Sequence, residues 1–279
     1  MNPQELRLMY GTAWKEERTA ELTQQALRCG FRAIDTANQR KHYYEAGVGE
    51  AVQAVIAAGI CAREDLFLQS KYTYLAGQDH RLPYDPEAAL TEQVHQSFAK
   101  SLEHLGTDYL DSYVLHGPMY REGFQKEDVE VWEAMETLHG EKKTRYLGVS
   151  NVSAEQLQAL LRVAKVKPAF VQNRCYATTG WDKAVRRICE QENIRYQGFS
   201  LLTANRQILA TPTFLDLTVR LGCTGAQLIF AFAAQVGMLP LIGSSSVKHL
   251  QEDQAAMALS LPAEVLSQIE NVLIKNSAC

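Results

Sequence analysis

The chain has 279 residues, of which 46% are hydrophobic and 22% are charged, and its formal net charge is −4. This composition is ordinary for a globular protein with a large core, and it excludes a disordered chain. Because the charge is negative and no long run of Lys and Arg occurs, a nucleic acid is not expected as a partner.

The N-terminal segment lacks a basic stretch followed by an apolar one, and nowhere do about 18 apolar residues run together. We therefore expect a cytoplasmic protein that does not associate with a membrane. The cysteines are scattered, with neither a CxxC pair nor a His-rich neighbourhood, which predicts reduced thiols rather than a disulfide framework or a metal site. They are Cys29, Cys61, Cys175, Cys189, Cys223 and Cys279.

Short apolar runs alternate along the chain with stretches whose apolar residues recur at helical spacing. The predicted strands are 7–11, 32–34, 66–70, 112–115, 146–149, 170–172, 196–199 and 239–242. The predicted helices are 17–29, 48–58, 90–105, 131–139, 154–164, 184–192 and 226–236. Ser153 with Gln156 forms a capping-box pattern at the start of one helix, and Gly106 and Gly222 stand where two others should end.

Strand-then-helix alternation predicts parallel strands, because no link is short enough for a hairpin. Eight such units indicate an α/β protein whose strands close into a (β/α)8 TIM barrel, with residues 1–279 as a single domain. An open doubly wound sheet is the alternative architecture. However, no GxGxxG motif follows the first strand, so the signal of a dinucleotide site in that fold is missing.

Three ionisable residues stand where predicted strands end: Asp35, Lys71 and His116. A barrel places catalytic groups at these ends, and the long loop 72–86 after the third strand would join the site wall. One such residue alone is as often a helix cap or a member of an ion pair at the rim as it is a catalytic group. Three on neighbouring strands indicate an active site.

Several motifs resemble those of the aldo-keto reductase family. Segment 34–37 (Ile-Asp-Thr-Ala) followed by 43–49 (Tyr-Tyr-Glu-Ala-Gly-Val-Gly) is similar to its first signature, and 108–118 is similar to its second. Gly-Val-Ser-Asn at 148–151 stands at the expected interval. The resemblance spans nearly the whole chain and implies an NAD(P)H-dependent oxidoreductase that interconverts carbonyl compounds and alcohols.

The resemblance implies a catalytic tetrad of Asp35, Tyr43, Lys71 and His116. A phenol has a pKa of about 10, so we expect the Lys71 cation to lower the pKa of Tyr43, with Asp35 holding Lys71 in place. His116 would donate a hydrogen bond to the substrate oxygen. Counted back from Glu45, the commoner family spacing falls on His42, and about two extra residues follow Asp35. The spacing therefore does not identify the tyrosine, and Tyr44 could supply the hydroxyl instead of Tyr43.

The resemblance also implies the cofactor site, for NADP(H) with NAD(H) as an alternative. Hydrogen bonds to the nicotinamide carboxamide would come from Ser150, Asn151 and Gln172, and Phe199 would stack on the ring because it keeps the aromatic face. The remaining cofactor-binding candidates are Ser200, Leu202, Gly243, Ser244, Ser245, Lys248, His249 and Asp253. Gly243 and His249 stand where many relatives have Lys and Arg for the 2′-phosphate, which predicts weak discrimination between the two cofactors.

The candidates for the substrate pocket are mostly aromatic. They are Trp14, Tyr44, Tyr72, Tyr74, Met119 and Tyr120. Thr73 and Gly117 stand where the family often has aromatic residues, which predicts a reshaped and more open pocket for a small carbonyl or alcohol. We expect a monomer or a weak homo-oligomer.

Two other functions remain open from the sequence. Lys71 could act as a Schiff-base amine in a barrel lyase or aldolase. The chain could also bind a nucleotide without catalysing a reaction, because a fold does not determine a function.

Overall fold

A computed structural model describes residues 1–271, and its eight strands form one closed parallel barrel in which β1 pairs with both β2 and β8. The strands are β1 (Met9–Gly11), β2 (Ala33–Asp35), β3 (Phe67–Tyr72), β4 (Leu110–Leu115), β5 (Thr144–Ser150), β6 (Phe170–Arg174), β7 (Arg195–Phe199) and β8 (Met238–Ile242). The predicted TIM barrel is therefore confirmed, with every predicted strand present and only the bounds shifted.

Helices surround the barrel. They are α1 (Thr19–Arg28), α2 (Glu45–Ala57), α3 (Leu90–Leu105), α4 (Lys126–Gly140), α5 (Ala154–Val163), α6 (Lys183–Gln191), α7 (Arg206–Leu209), α8 (Pro212–Leu221), α9 (Gly225–Gln235), α10 (Val247–Ala255) and α11 (Ala263–Asn271). The predicted capping box opens α5, where the Ser153 hydroxyl accepts from the Gln156 backbone N–H at 3.1 Å. Gly106 ends α3 with a φ of 63°, a left-handed conformation that glycine adopts without strain.

Four helices were absent from the sequence-based prediction: α7, α8, α10 and α11. A signal for α8 was present, because Thr211 caps it with its side chain and Pro212 occupies its first turn. Helix α7 has only four residues, which is too short for an apolar period to be recognised.

Side chains alternate across each strand, so every second residue faces the barrel interior. At the end where the strands begin, this interior is apolar and contains Phe67, Phe170 and Leu239. Two residues further along β3 and β6 the inward side chains are polar, Gln69 and Gln172, and both are buried. The barrel interior is thus apolar at the end where the strands begin and polar at the end where they terminate.

Helices α2 and α3 approach each other closely at Gly49 of α2. A Cβ atom added there would lie 1.9 Å from the carbonyl oxygen of His104 in α3. The two helices could not approach this closely with any side chain at that position.

No single helix within residues 1–271 combines the length and the apolar composition of a membrane span. Helices α8 and α9 reach that composition only when taken together, and they meet at an angle of 88°.

Candidate active site

The barrel brings the four tetrad candidates together at the end where the strands terminate. Asp35 is the last residue of β2, Lys71 is near the end of β3, and His116 directly follows β4. The Lys71 ammonium donates to Asp35 at 2.7 Å and lies 5.0 Å from the centre of the Tyr43 ring. The Tyr43 and His116 rings meet edge to face, with centroids 5.9 Å apart.

Of the two candidate tyrosines, only Tyr43 lines the cavity at the barrel mouth. Tyr44 precedes α2, and its ring lies 4.7 Å from the Arg40 guanidinium. The loop between β2 and α2 therefore directs Tyr43, and not Tyr44, towards Lys71 and His116.

A network of glutamine side chains below the site surrounds the Asp35 carboxylate. Its Oδ1 accepts from Gln69 at 2.7 Å and from Gln172 at 3.0 Å, in addition to Lys71. Gln197 accepts from both glutamines, at 2.9 and 2.8 Å. The buried Asp35 carboxylate thus has charged and neutral donors in place of the lost water. Gln69 and Gln197 were not among the predicted site residues, although Gln69 stands two residues before Lys71 on the same strand face.

Burial, and not Lys71, has the largest influence on the Tyr43 phenol. It raises the Tyr43 pKa far above the ordinary value, the Asp35 carboxylate raises it further, and Arg174 lowers it. The expected acidification by Lys71 is not found. The reason is that Asp35 offsets the ammonium charge at 2.7 Å, so little of its field reaches the phenol. Tyr43 is therefore protonated at neutral pH and is suited to donate a proton.

His116 is a neutral imidazole with one ring nitrogen held by the protein. Burial, followed by the Lys71 and His42 charges, lowers its pKa well below the ordinary value. Its Nδ1 lies 2.7 Å from the Thr73 hydroxyl, and no residue in the described part of the chain bonds to its Nε2. A neutral imidazole has one N–H, so when the Thr73 hydroxyl donates to Nδ1 the proton resides on Nε2. Nε2–H is then available to a substrate oxygen in the cavity.

The predicted carboxamide-binding residues lie beside this group. Ser150 donates to the Gln172 carbonyl at 2.6 Å, and Asn151 donates to the His116 carbonyl at 2.7 Å. No residue from 1 to 271 donates to the side-chain oxygens of Asn151 or Gln172, and both residues line the cavity with Phe199. Two amide oxygens and an aromatic face fit a carboxamide-bearing ring that donates hydrogen bonds and stacks. Ser200 and Leu202 also line the cavity.

The predicted phosphate segment is only partly exposed to the cavity. Gly243 and Ser244 line it, whereas Ser245, Lys248, His249 and Asp253 do not. The Ser244 hydroxyl donates to the Asp253 carboxylate at 2.6 Å, and Lys248 lies 3.7 Å from Glu252 with 80% of its side chain exposed.

A cation that was not among the predicted site residues lies near this segment. Lys15 donates to the Gly243 carbonyl at 2.8 Å, and burial together with Arg18 lowers its pKa to about 8. Nothing in the sequence pattern marked Lys15, because it lies 228 residues from Gly243.

The cavity has a volume of about 940 Å³, which is within the range of sites for small molecules and cofactors. Trp14, Tyr74, Met119 and Tyr120 line it as predicted, but Tyr44 and Tyr72 do not. Tyr72 follows the inward-facing Lys71 on β3, so it points outward, where it is buried and donates to Gln93 at 3.2 Å.

Comparison with known proteins gives one consistent result. The family model described as "Aldo/keto reductase family" matches residues 7–274. The chain is 31% identical over 241 residues to an uncharacterized oxidoreductase of Bacillus subtilis, covering 86% of this chain and 79% of that protein. It is 28% identical to a probable NAD(P)H-dependent D-xylose reductase of Arthroderma otae, covering 92% and 84%. Among solved structures, an aldo/keto reductase from Brucella melitensis matches with a TM-score of 0.81 and 25% identity, covering 95% and 94%.

Proposed function

Because the chain belongs to the aldo/keto reductase family, whose members reduce carbonyl compounds with NAD(P)H, we propose that Tyr43 donates the proton at its site. The observation that carries this proposal is the position of the protonated Tyr43 phenol against His116, with the Lys71 ammonium 5.0 Å from its ring centre. A bound nicotinamide supplies the hydride. The chain's own residues bind and orient the carbonyl and deliver the proton to its oxygen.

In this mechanism His116 orients the substrate. Its Nε2–H and the Tyr43 hydroxyl both donate to the carbonyl oxygen, which gains negative charge as the carbon is reduced. Tyr43 then transfers its proton to that oxygen. The Lys71 ammonium, paired with the Asp35 carboxylate, lies 5.0 Å from the centre of the Tyr43 ring and holds the phenol in position. In the reverse direction the Tyr43 phenolate accepts the proton.

For the cofactor, we propose that the side-chain oxygens of Asn151 and Gln172 accept hydrogen bonds from the nicotinamide carboxamide and that Phe199 stacks on the nicotinamide ring. We also propose that both NADP(H) and NAD(H) are used. Lys248 supports weak discrimination, because its ammonium is exposed and lies near Glu252, where solvent and the carboxylate both reduce its attraction for a 2′-phosphate.

The Schiff-base alternative has little support from the geometry. Burial lowers the pKa of Lys71, which by itself would favour a nucleophilic amine. However, Lys71 donates to Asp35 and to the Thr36 carbonyl, and its side chain is 0% exposed. A substrate carbonyl has no path to that nitrogen.

We further propose a cytoplasmic location and a monomer or weak homo-oligomer. The five described cysteines are free thiols, as in a reducing compartment.

The test is to follow oxidation of NADPH and NADH in parallel with a panel of aldehydes, ketones and α-dicarbonyls. We expect turnover with both cofactors. Cofactor binding without turnover across the panel would favour a non-enzymatic nucleotide-binding role, and borohydride trapping of a carbonyl compound on Lys71 would favour a lyase.

A further inference from the structure

Arg174 is a cation in the wall of the site to which the mechanism above gives no role. It ends β6, two residues after Gln172, and therefore faces the same side of the strand. In the sheet register it stands opposite Phe199, and its guanidinium lies 5.5 Å from the centre of the Phe199 ring. It lines the same cavity as Tyr43 and His116.

No carboxylate neutralises Arg174 in the described part of the chain. None lies within 4.0 Å of its guanidinium, and the residues that line the cavity there include only one carboxylate, Asp35. Asp35 is occupied by Lys71. Two lining arginines, Arg121 and Arg174, remain, so the wall of the cavity is positively charged although the chain as a whole carries −4.

The field of Arg174 reaches the reacting group. Among the charges that act on Tyr43, Arg174 is the one that lowers its pKa, against the effects of burial and Asp35. Because Arg174 and Tyr43 line the same cavity, an anion placed next to Arg174 would lie in the cavity that contains the Tyr43 phenol.

We infer that Arg174 binds an anionic group of the substrate, so that the physiological substrate is a small carbonyl compound carrying a carboxylate. This inference rests on the proposed function. A guanidinium can bind a carboxylate through two parallel hydrogen bonds.

The cofactor phosphates share this anionic chemistry, but they fit Arg174 less well. The segment that best suits them, Gly243 and Ser244, follows β8. Strand β7 lies between β6 and β8, which places the two strands about 10 Å apart. Arg174 stands instead beside Phe199, the residue that we propose stacks on the nicotinamide ring.

The experiment compares matched acids and esters. The 2-, 3- and 4-carboxybenzaldehydes and their methyl esters are assayed with wild type, Arg174→Gln and Arg174→Lys. Arg28→Gln is the control. Arg28 is exposed and ends α1, so its substitution removes the same charge on the opposite face of the barrel. Isothermal titration calorimetry measures NADPH binding to each protein and benzoate binding to each enzyme–NADPH complex.

We expect the ratio of kcat/KM for an acid to that for its ester to fall about tenfold in Arg174→Gln. Arg174→Lys should keep part of the wild-type preference for the acid, and Arg28→Gln should keep all of it. Benzoate binding to Arg174→Gln should weaken to the same extent while the Kd of NADPH is unchanged. An unchanged ratio in Arg174→Gln would overturn the inference. So would a weaker Kd for NADPH with the acid preference intact, since Arg174 would then hold a cofactor phosphate.

Failure of the proposed function gives a different result. In that case no aldehyde is reduced by any of the proteins, while the benzoate titration still reports whether Arg174 holds a carboxylate.

Discussion

Thr73→Val removes the hydroxyl that contacts His116 Nδ1 at 2.7 Å and keeps the shape of the side chain. Thr73 is only 6% exposed, so water has little access to the nitrogen that loses its partner. Leaving a buried polar group unpaired costs about 1–3 kcal/mol. The imidazole can avoid this cost by moving its proton to Nδ1, but Nε2 then no longer donates to the substrate oxygen.

We therefore expect kcat/KM to fall by a factor of about 5 to 150, the kinetic equivalent of 1–3 kcal/mol. Steady-state rates with one aldehyde give the size of the loss. Nitrogen NMR of the His116 ring identifies which nitrogen carries the proton. A purely structural role for Thr73 would lower Tm without moving that proton.

Thr73→Ser is the matched control, because it restores the hydroxyl and removes only a methyl group. We expect it to return kcat/KM to within about threefold of wild type, the cost of a lost packing contact. The reasoning fails if Thr73→Val keeps the proton on Nε2 together with a wild-type rate.

Three further predictions concern the site and the fold. Tyr43→Phe should lose at least about 100-fold in kcat with the Kd of NADPH unchanged, whereas Tyr44→Phe should keep most activity; the opposite pattern would assign the proton donor to Tyr44. Burial raises the pKa of Asp253 to about 6, above the unfolded value of about 3.9, so its favourable contribution to folding is complete below pH 4 and is lost as the pH rises through 6. Asp253→Asn should therefore be more stable than wild type at pH 8 but not at pH 4, and equal urea midpoints at both values would refute this. Gly49→Ala places a methyl group 1.9 Å from the His104 carbonyl oxygen and should cost about 3 kcal/mol in urea unfolding; a cost under about 1 kcal/mol would mean that α2 and α3 separate easily.

Much of the fold followed from local patterns in the sequence. Alternation of apolar strands with amphipathic helices predicted the barrel, because each such unit must bury one face and parallel strands need a crossover. The same patterns placed Asp35, Lys71 and His116 at strand ends, and strand ends meet at one edge of a parallel sheet. That much required no knowledge of the packing.

The sequence pattern failed where facing direction or distant pairing decides the outcome. Tyr72 was predicted to line the pocket, but one residue along a strand reverses the side chain to the other face. The choice between Tyr43 and Tyr44 has the same character, since it depends on how the loop before α2 turns.

The sequence by itself determined the kind of chemistry: a phenol, an ammonium, a carboxylate and an imidazole at the rim of a closed parallel sheet. Only the tertiary structure decided how these groups behave. Thr73 meets His116 across 43 residues, and Asp35 meets Gln172 across 137. A proton's position and a pKa depend on burial and on charges within a few ångströms, and such distances are set when separate strands close into the barrel.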